Sequence, residues 1–120
     1  MTHAVEPGDW RWGDELDAVN AAPVSHRVVF ENEHVRVLEV AVPAGTTEPE
    51  HTHKWPSVMI TDRRARIRYR IGDTVSFESP DPLPPPGELK GAWIGPEGPH
   101  AIENIDTFDS HALRIEFKNL

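Results

Sequence analysis

The sequence predicts an all-β domain, a barrel or sandwich of short strands preceded by an N-terminal arm. Three observations lead there. Residues 65–71 alternate strictly, with Ala65, Ile67, Tyr69 and Ile71 against Arg66, Arg68 and Arg70, the period of a strand with two different faces. Similar short runs recur at close spacing, each closed by a turn. The chain carries 12 prolines and 8 glycines in 120 residues, which interrupt helices and suit strands joined by turns.

The length fits one domain, large enough to bury a core unaided. Residues 1–24 read as an acidic arm. Asp14, Glu15 and Asp17 surround Leu16 and Val19, so a short helix near 14–21 is expected, ended by Pro23. Trp10 and Trp12 alternate with Asp9 and Arg11, and the arm is expected to cover an apolar surface of its own domain rather than to be exchanged with a second copy. Residues 25–120 form the single β domain.

Strands are expected at Arg27–Phe30, Val35–Val42, Ser57–Thr61, 65–71, Thr74–Glu78, Lys90–Ile94, Ala101–Asn104 and Ala112–Lys118. In the last, Leu113, Ile115 and Phe117 share one face and Arg114, Glu116 and Lys118 the other. The run Ser79-Pro-Asp-Pro-Leu-Pro-Pro-Pro-Gly87 cannot be an interior strand, because proline donates no ladder hydrogen bond. It reads as a stiff surface connection. The arginines of 65–71 read as an outer face paired with acidic neighbours.

Composition excludes several chemistries. Without cysteine there is no disulfide, thiolate zinc site or cysteine nucleophile. A net charge of −8 opposes a phosphate backbone, so nucleic acid is not an expected partner. The first residues show no basic, apolar secretory pattern, and no run approaches a membrane span. A cytoplasmic protein without membrane contact is expected.

The chemistry concentrates in two places. His51 and His53 stand two apart after the turn at Gly45, so in a strand both imidazoles project from one face. Pro96-Glu97-Gly98-Pro99 is a second turn, followed by His100, Ile102 and Asn104 on one face. Together these motifs resemble the cupin superfamily. Gly45, five residues and His-x-His match its first motif. Pro96, Gly98, His100 and Asn104 match its second. The segment Glu31–Val40 also resembles the first strand of small bacterial cupins, and the resemblance spans residues 27–118.

That resemblance implies a cupin-type double-stranded β-helix, a jelly-roll barrel that is often a homodimer. It also implies one divalent metal ion inside one mouth, held by His51, His53 and His100. Two departures stand out. The carboxylate usual after the second histidine is missing, its inward place falling to Ser57. The spacing from Gly98 to His100 is one residue shorter than usual. Imidazoles suit transition metals, with iron(II) favoured and zinc, nickel, manganese or copper as alternatives. A site without an anionic ligand would keep the ion's full charge and favour a small, chelating, anionic substrate.

Trp55, Ser57, Met59, Ile102 and Asn104 are the expected pocket residues. Glu48, Glu50 and Glu97 are candidates to support a histidine from behind. His3, His26, His34 and His111 read as ordinary surface or strand-end histidines. Three functions stay open at this point: a dioxygenase-like oxidoreductase, a lyase or isomerase using the metal as a Lewis acid, and a binding module without a reaction. A pocket lined by histidines without metal also remains open.

Overall fold

The computed structural model describes residues 2–6 and 8–119. A 3₁₀ turn, Asp14–Leu16, leads into the one-turn helix α1, Ala18–Ala21. Nine strands follow: β1 His26–Glu31, β2 Val35–Val40, β3 His51–His53, β4 Ser57–Arg63, β5 Ile67–Ile71, β6 Thr74–Glu78, β7 Gly91–Ile94, β8 Glu97–Asn104 and β9 His111–Phe117. They form two antiparallel sheets, a five-stranded one ordered β1-β2-β9-β4-β7 and a four-stranded one ordered β3-β8-β5-β6.

Alternation decides what faces the space between the sheets. On β2 the buried residues are Arg36, Leu38 and Val40. On β9 they are Ala112, Arg114 and Glu116, while Leu113, Ile115 and Phe117 point away. Leu38, Val40 and Ala112 make a small apolar cluster with Val19 and Met59 packed against it. Buried charges share the interior. Arg36 donates from Nη1 and Nη2 to Asp17 at 2.9 and 3.0 Å, and from Nε to Glu116 Oε1 at 2.6 Å. Burial works against the guanidinium's charge, yet these two carboxylates raise its pKa.

The arm docks on its own barrel. Ala4 bridges to Glu97, Asp17 to Thr52, and the Gly98 amide donates to the His3 carbonyl at 2.8 Å. A Cβ on Gly98 would lie 2.8 Å from the His3 ring, so this close approach requires glycine. Gly45 turns the chain into β3 at φ +69°, a left-handed conformation that glycine adopts without strain. Trp10 and Trp12 do not form a strand; they meet edge to face at 4.9 Å.

Arg68 pairs with Glu78, and Arg70 with Glu103, on the outside of the four-stranded sheet. The proline segment is more than a surface connection. Arg66 holds its start by donating to the Pro80 carbonyl at 3.1 Å, and Pro80, Leu83 and Pro84 wall a cavity between the sheets.

Candidate metal centre

That cavity measures about 430 Å³ and opens between β3, β8 and the inner face of the five-stranded sheet. Four buried histidines converge on it: His26, His51, His53 and His100. His51 and His53 come from β3, with ring centroids 5.1 Å apart. His100, on β8, pairs with His51 and lies 4.5 Å from its ring. His26 starts β1, 4.7 Å from the His51 ring and 5.2 Å from that of His53.

All four rings are anchored in the same way. The Nδ1 of His51 lies 2.9 Å from the Pro49 carbonyl, that of His100 2.7 Å from the Gly98 carbonyl, and that of His26 3.2 Å from the Ala22 carbonyl. His53 Nδ1 lies 3.3 Å from Glu116 Oε2. Carbonyl and carboxylate oxygens only accept, so each Nδ1 carries the proton and each Nε2 keeps its lone pair. This is the tautomer a metal-binding imidazole needs. Burial also keeps the rings neutral. It pushes the pKa of His26 down to about 3 and that of His100 to about 4, and holds His53 well below the ordinary range.

Three carboxylates reach the cluster. Glu97 accepts from the Tyr69 hydroxyl at 2.7 Å and from Arg114 Nη2 at 2.7 Å, and its Oε2 lies 3.7 Å from His100 Nε2. Burial alone would raise its pKa, but Arg114, His100 and Tyr69 together bring it below the usual carboxylate value. Glu48 accepts from Ser25 Oγ at 2.5 Å and from the Ile102 amide at 3.1 Å, with Oε1 3.8 Å from His51 Nε2. Glu116 is the third, and burial raises its pKa despite Arg36. Tyr69 stacks on His100 at 4.8 Å, its ring almost parallel.

Donor atoms from two overlapping trios each lie within 4.8 Å of one another: His26, His51 and His53, and His53, Glu97 and His100. The buried charges suit a cation. Among the described residues, Asp17, Glu48, Glu97 and Glu116 are buried against only Arg36 and Arg114, an excess of two negative charges with the imidazoles neutral. A divalent ion would close that excess. Neutral, Nε2-directed imidazoles inside a net-negative interior therefore fit a transition metal.

No family model matches the chain, and no curated protein matches it. Solved structures do. A cupin-domain protein from Bordetella pertussis Tohama I is 19% identical, the match covering 78% of this chain and 91% of that one at a TM-score of 0.64. An RmlC-like cupin family protein from Methanocaldococcus jannaschii, described with a double-stranded β-helix fold, is 14% identical over 77% of each chain at 0.54. A cupin superfamily protein from Desulfitobacterium hafniense DCB-2 is 11% identical over 78% of this chain and 76% of that one at 0.51. The chain has the cupin fold.

Within this cupin barrel the expected residues divide. His51, His53 and His100 meet in the cavity, with Met59 and Ile102 among its walls. Trp55, Ser57 and Asn104 do not wall it, contrary to expectation. The Trp55 ring is occupied by cations, Arg36 at 4.9 Å and Lys54 at 4.8 Å. Ser57 is fully buried beside Glu116 across the β4–β9 ladder, its hydroxyl without a hydrogen-bond partner. Asn104 is a clip, donating to the Val42 and Phe108 carbonyls and accepting from the Asp106 amide.

The resemblance implied no carboxylate among the ligands, with Glu48, Glu50 and Glu97 as candidates to support a histidine; Glu48 and Glu97 line the cavity, and Glu50 is exposed. Glu97 was expected only as support behind a histidine, being three residues from His100, an odd spacing that puts two side chains on opposite faces of a regular strand. A register shift between β3 and β8 pairs His51 with His100 but His53 with Glu97. The extra residue on β8 restores Glu97 to the inner face. His26 is a strand-end histidine as read, but a buried one. No local motif marks it, and the rest of β1 is exposed. The buried partner of its strand, Val40, was the available signal.

The fold has no helix long and apolar enough to cross a membrane among the described residues.

Proposed function

We propose that the cavity is a metal centre in which His51, His53 and His100 hold one divalent transition ion, iron(II) first, and that the protein is a metal-dependent oxidoreductase acting on a small substrate with oxygen. The observation that carries this reading is the shared anchoring of the buried histidines, which leaves every Nε2 lone pair directed away from its Nδ1 partner. When bound, iron(II) would supply redox chemistry and a Lewis-acidic site for a small substrate.

The chain's own residues do the rest. Val40, Val42, Ile67, Ile94 and Leu83 give the cavity an apolar wall that excludes water and takes a small organic body. Tyr69 holds a proton at its hydroxyl beside His100. Burial and the adjacent Glu97 raise its pKa, so the phenol stays neutral and oriented. Arg114 fixes Glu97 from the opposite sheet. The buried carboxylates change the expected substrate. Because the interior charge closes with the ion alone, the site does not need an anion to balance it. A neutral or singly charged molecule with an apolar body fits better than a strongly anionic chelator.

The test has two stages. Protein expressed with iron, zinc and nickel in turn is assayed for bound metal, and the iron form is then screened for oxygen uptake with β-diketones and small thiols. Close to one equivalent of metal and substrate-dependent uptake are expected. No retained metal from any supplement would remove the proposal, and metal without uptake would remove its redox part.

We also propose a homodimer through the outer face of the five-stranded sheet. Phe30 and Trp93 are 53% and 60% exposed there, at the two ends of a register row that runs through Val37, Ile115 and Val58. A monomer mass in sedimentation equilibrium at micromolar concentration would overturn this.

A further inference from the structure

We infer that His26 is a fourth imidazole donor to the centre, entering from β1 on the side away from His100. The inference rests on the metal-centre reading and adds a residue to it. Position comes first. One donor atom each from His26, His51 and His53 lie within 4.8 Å of one another, as close as the trio that contains His100. The His26 ring stands edge-on to His51 at 4.7 Å and tilted against His53 at 5.2 Å. It lines the same cavity.

Anchoring comes second. His26 Nδ1 lies 3.2 Å from the Ala22 carbonyl and 3.0 Å from Ser25 Oγ. Ser25 in turn donates to Glu48 Oε2 at 2.5 Å, which itself lies 3.5 Å from the His26 ring. The carbonyl can only accept, so Nδ1 is the protonated nitrogen and Nε2 has the free lone pair. This chain from Glu48 through Ser25 to the ring is the kind of support that fixes a ligand's tautomer and orientation. A histidine needed only for packing has no use for it. Both contacts come from the chain just before β1, so the helix and the start of the first strand are what aim the ring.

Burial comes third. His26 is 5% exposed, and no hydrogen bond is made by its Nε2 among the described residues. That nitrogen is free to bind an ion in the cavity that His26 lines.

The experiment counts imidazoles directly. The purified protein is stripped, loaded with copper(II), and studied by pulsed electron paramagnetic resonance, in which each coordinated imidazole adds to the modulation from its remote nitrogen. Zinc affinity is measured in parallel by competition with a chromophoric chelator. The parent is expected to show four imidazoles, and folded His26→Gln three, with zinc binding at least about tenfold weaker. Five histidines line the cavity among the described residues, and His111 has both ring nitrogens engaged by Asp62 and Glu39, so four imidazoles in the parent require His26 even if the variant does not fold. Three or fewer in the parent, or the same count in parent and variant, would overturn the inference while leaving the metal centre intact. No binding of either metal by the parent would overturn both together.

Discussion

Arg36→Met tests how the barrel tolerates charge in its interior. Arg36 is 6% exposed and serves two buried carboxylates, taking Asp17 with both terminal nitrogens and Glu116 with Nε at 2.6 Å. Methionine keeps much of the stem's packing and removes every one of these bonds. Removing one partner of a buried ion pair costs about 3–5 kcal/mol, because the remaining charge stays desolvated. At roughly 4 °C per kcal/mol for a domain of this size, melting should fall by about 12–20 °C. The loss should also depend on pH. Burial already raises the pKa of Glu116, and Arg36 is what opposes it. In the variant the folded-state pKa lies further above the unfolded value, so the folded form binds the extra proton. Stability is then largest at low pH and falls as pH rises through that pKa. Urea unfolding of metal-free protein at pH 5 and pH 8, with and without Glu116→Gln in the same chain, measures this. The double variant should recover part of the loss at pH 8. A loss below about 1 kcal/mol with an unchanged urea slope would refute the view that the interior charges are mutually dependent.

Chelation should leave a cooperative melt, since the fold has its own apolar cluster, and returning the ion at a hundredfold excess over its Kd should add about 2.7 kcal/mol; a metal-free chain without a calorimetric transition would instead make the ion structural. In metal-free protein, NMR titration should show His111 taking its proton above pH 6.5, through its bonds to Glu39 and Asp62, while His26 and His100 stay neutral until about 3 and about 4. The unfolded chain accepts protons near pH 6.5 that these two refuse, so they make the folded state lose stability as pH drops from 6.5 toward 4; a common value near 6.5 for all three would contradict the burial. Ser57→Glu should cost several kcal/mol by placing a second carboxylate beside Glu116, without tightening metal binding; a zinc Kd lowered in this variant would show that position 57 reaches the site after all.

The strands and the two histidine-bearing turns are readable because their causes are local. Period-two alternation marks β5 and β9, and Gly45 and Gly72 mark turns where φ is +69° and +58°. What alternation cannot supply is the identity of the inner face when that face is polar. On β9 the two sets differ sharply in hydrophobicity, and it is the charged set, Arg114 and Glu116, that points inward. Their partners lie on other strands: Glu97 on β8, Arg36 on β2, and His53 on β3. Such pairings belong to the sheet order, which no window of sequence contains. Trp55 has the same difficulty in reverse. Its parity matches the histidines, but the chain leaves β3 after His53, and the ring ends among cations.

The interior is better understood as a site enclosed by a fold than as a core that happens to contain one. Among the described residues, half of the buried apolar ones are alanines, Ala18, Ala22, Ala65 and Ala112, and alanine contributes little hydrophobic free energy. The large, fully buried side chains include His51, His53, Glu116 and Asn104 beside a single leucine, Leu38. An apolar filling of the same volume would be at least as stable. The polar set therefore makes sense for what it arranges. Glu116 anchors His53, and Arg36 in turn fixes Glu116. Asp17, at the end of the arm, is bound to the same guanidinium and bridges to Thr52 between His51 and His53. The arm is thus tied to the centre by charge and by backbone at once, and displacing it would disturb β3 before it disturbed the sheet core.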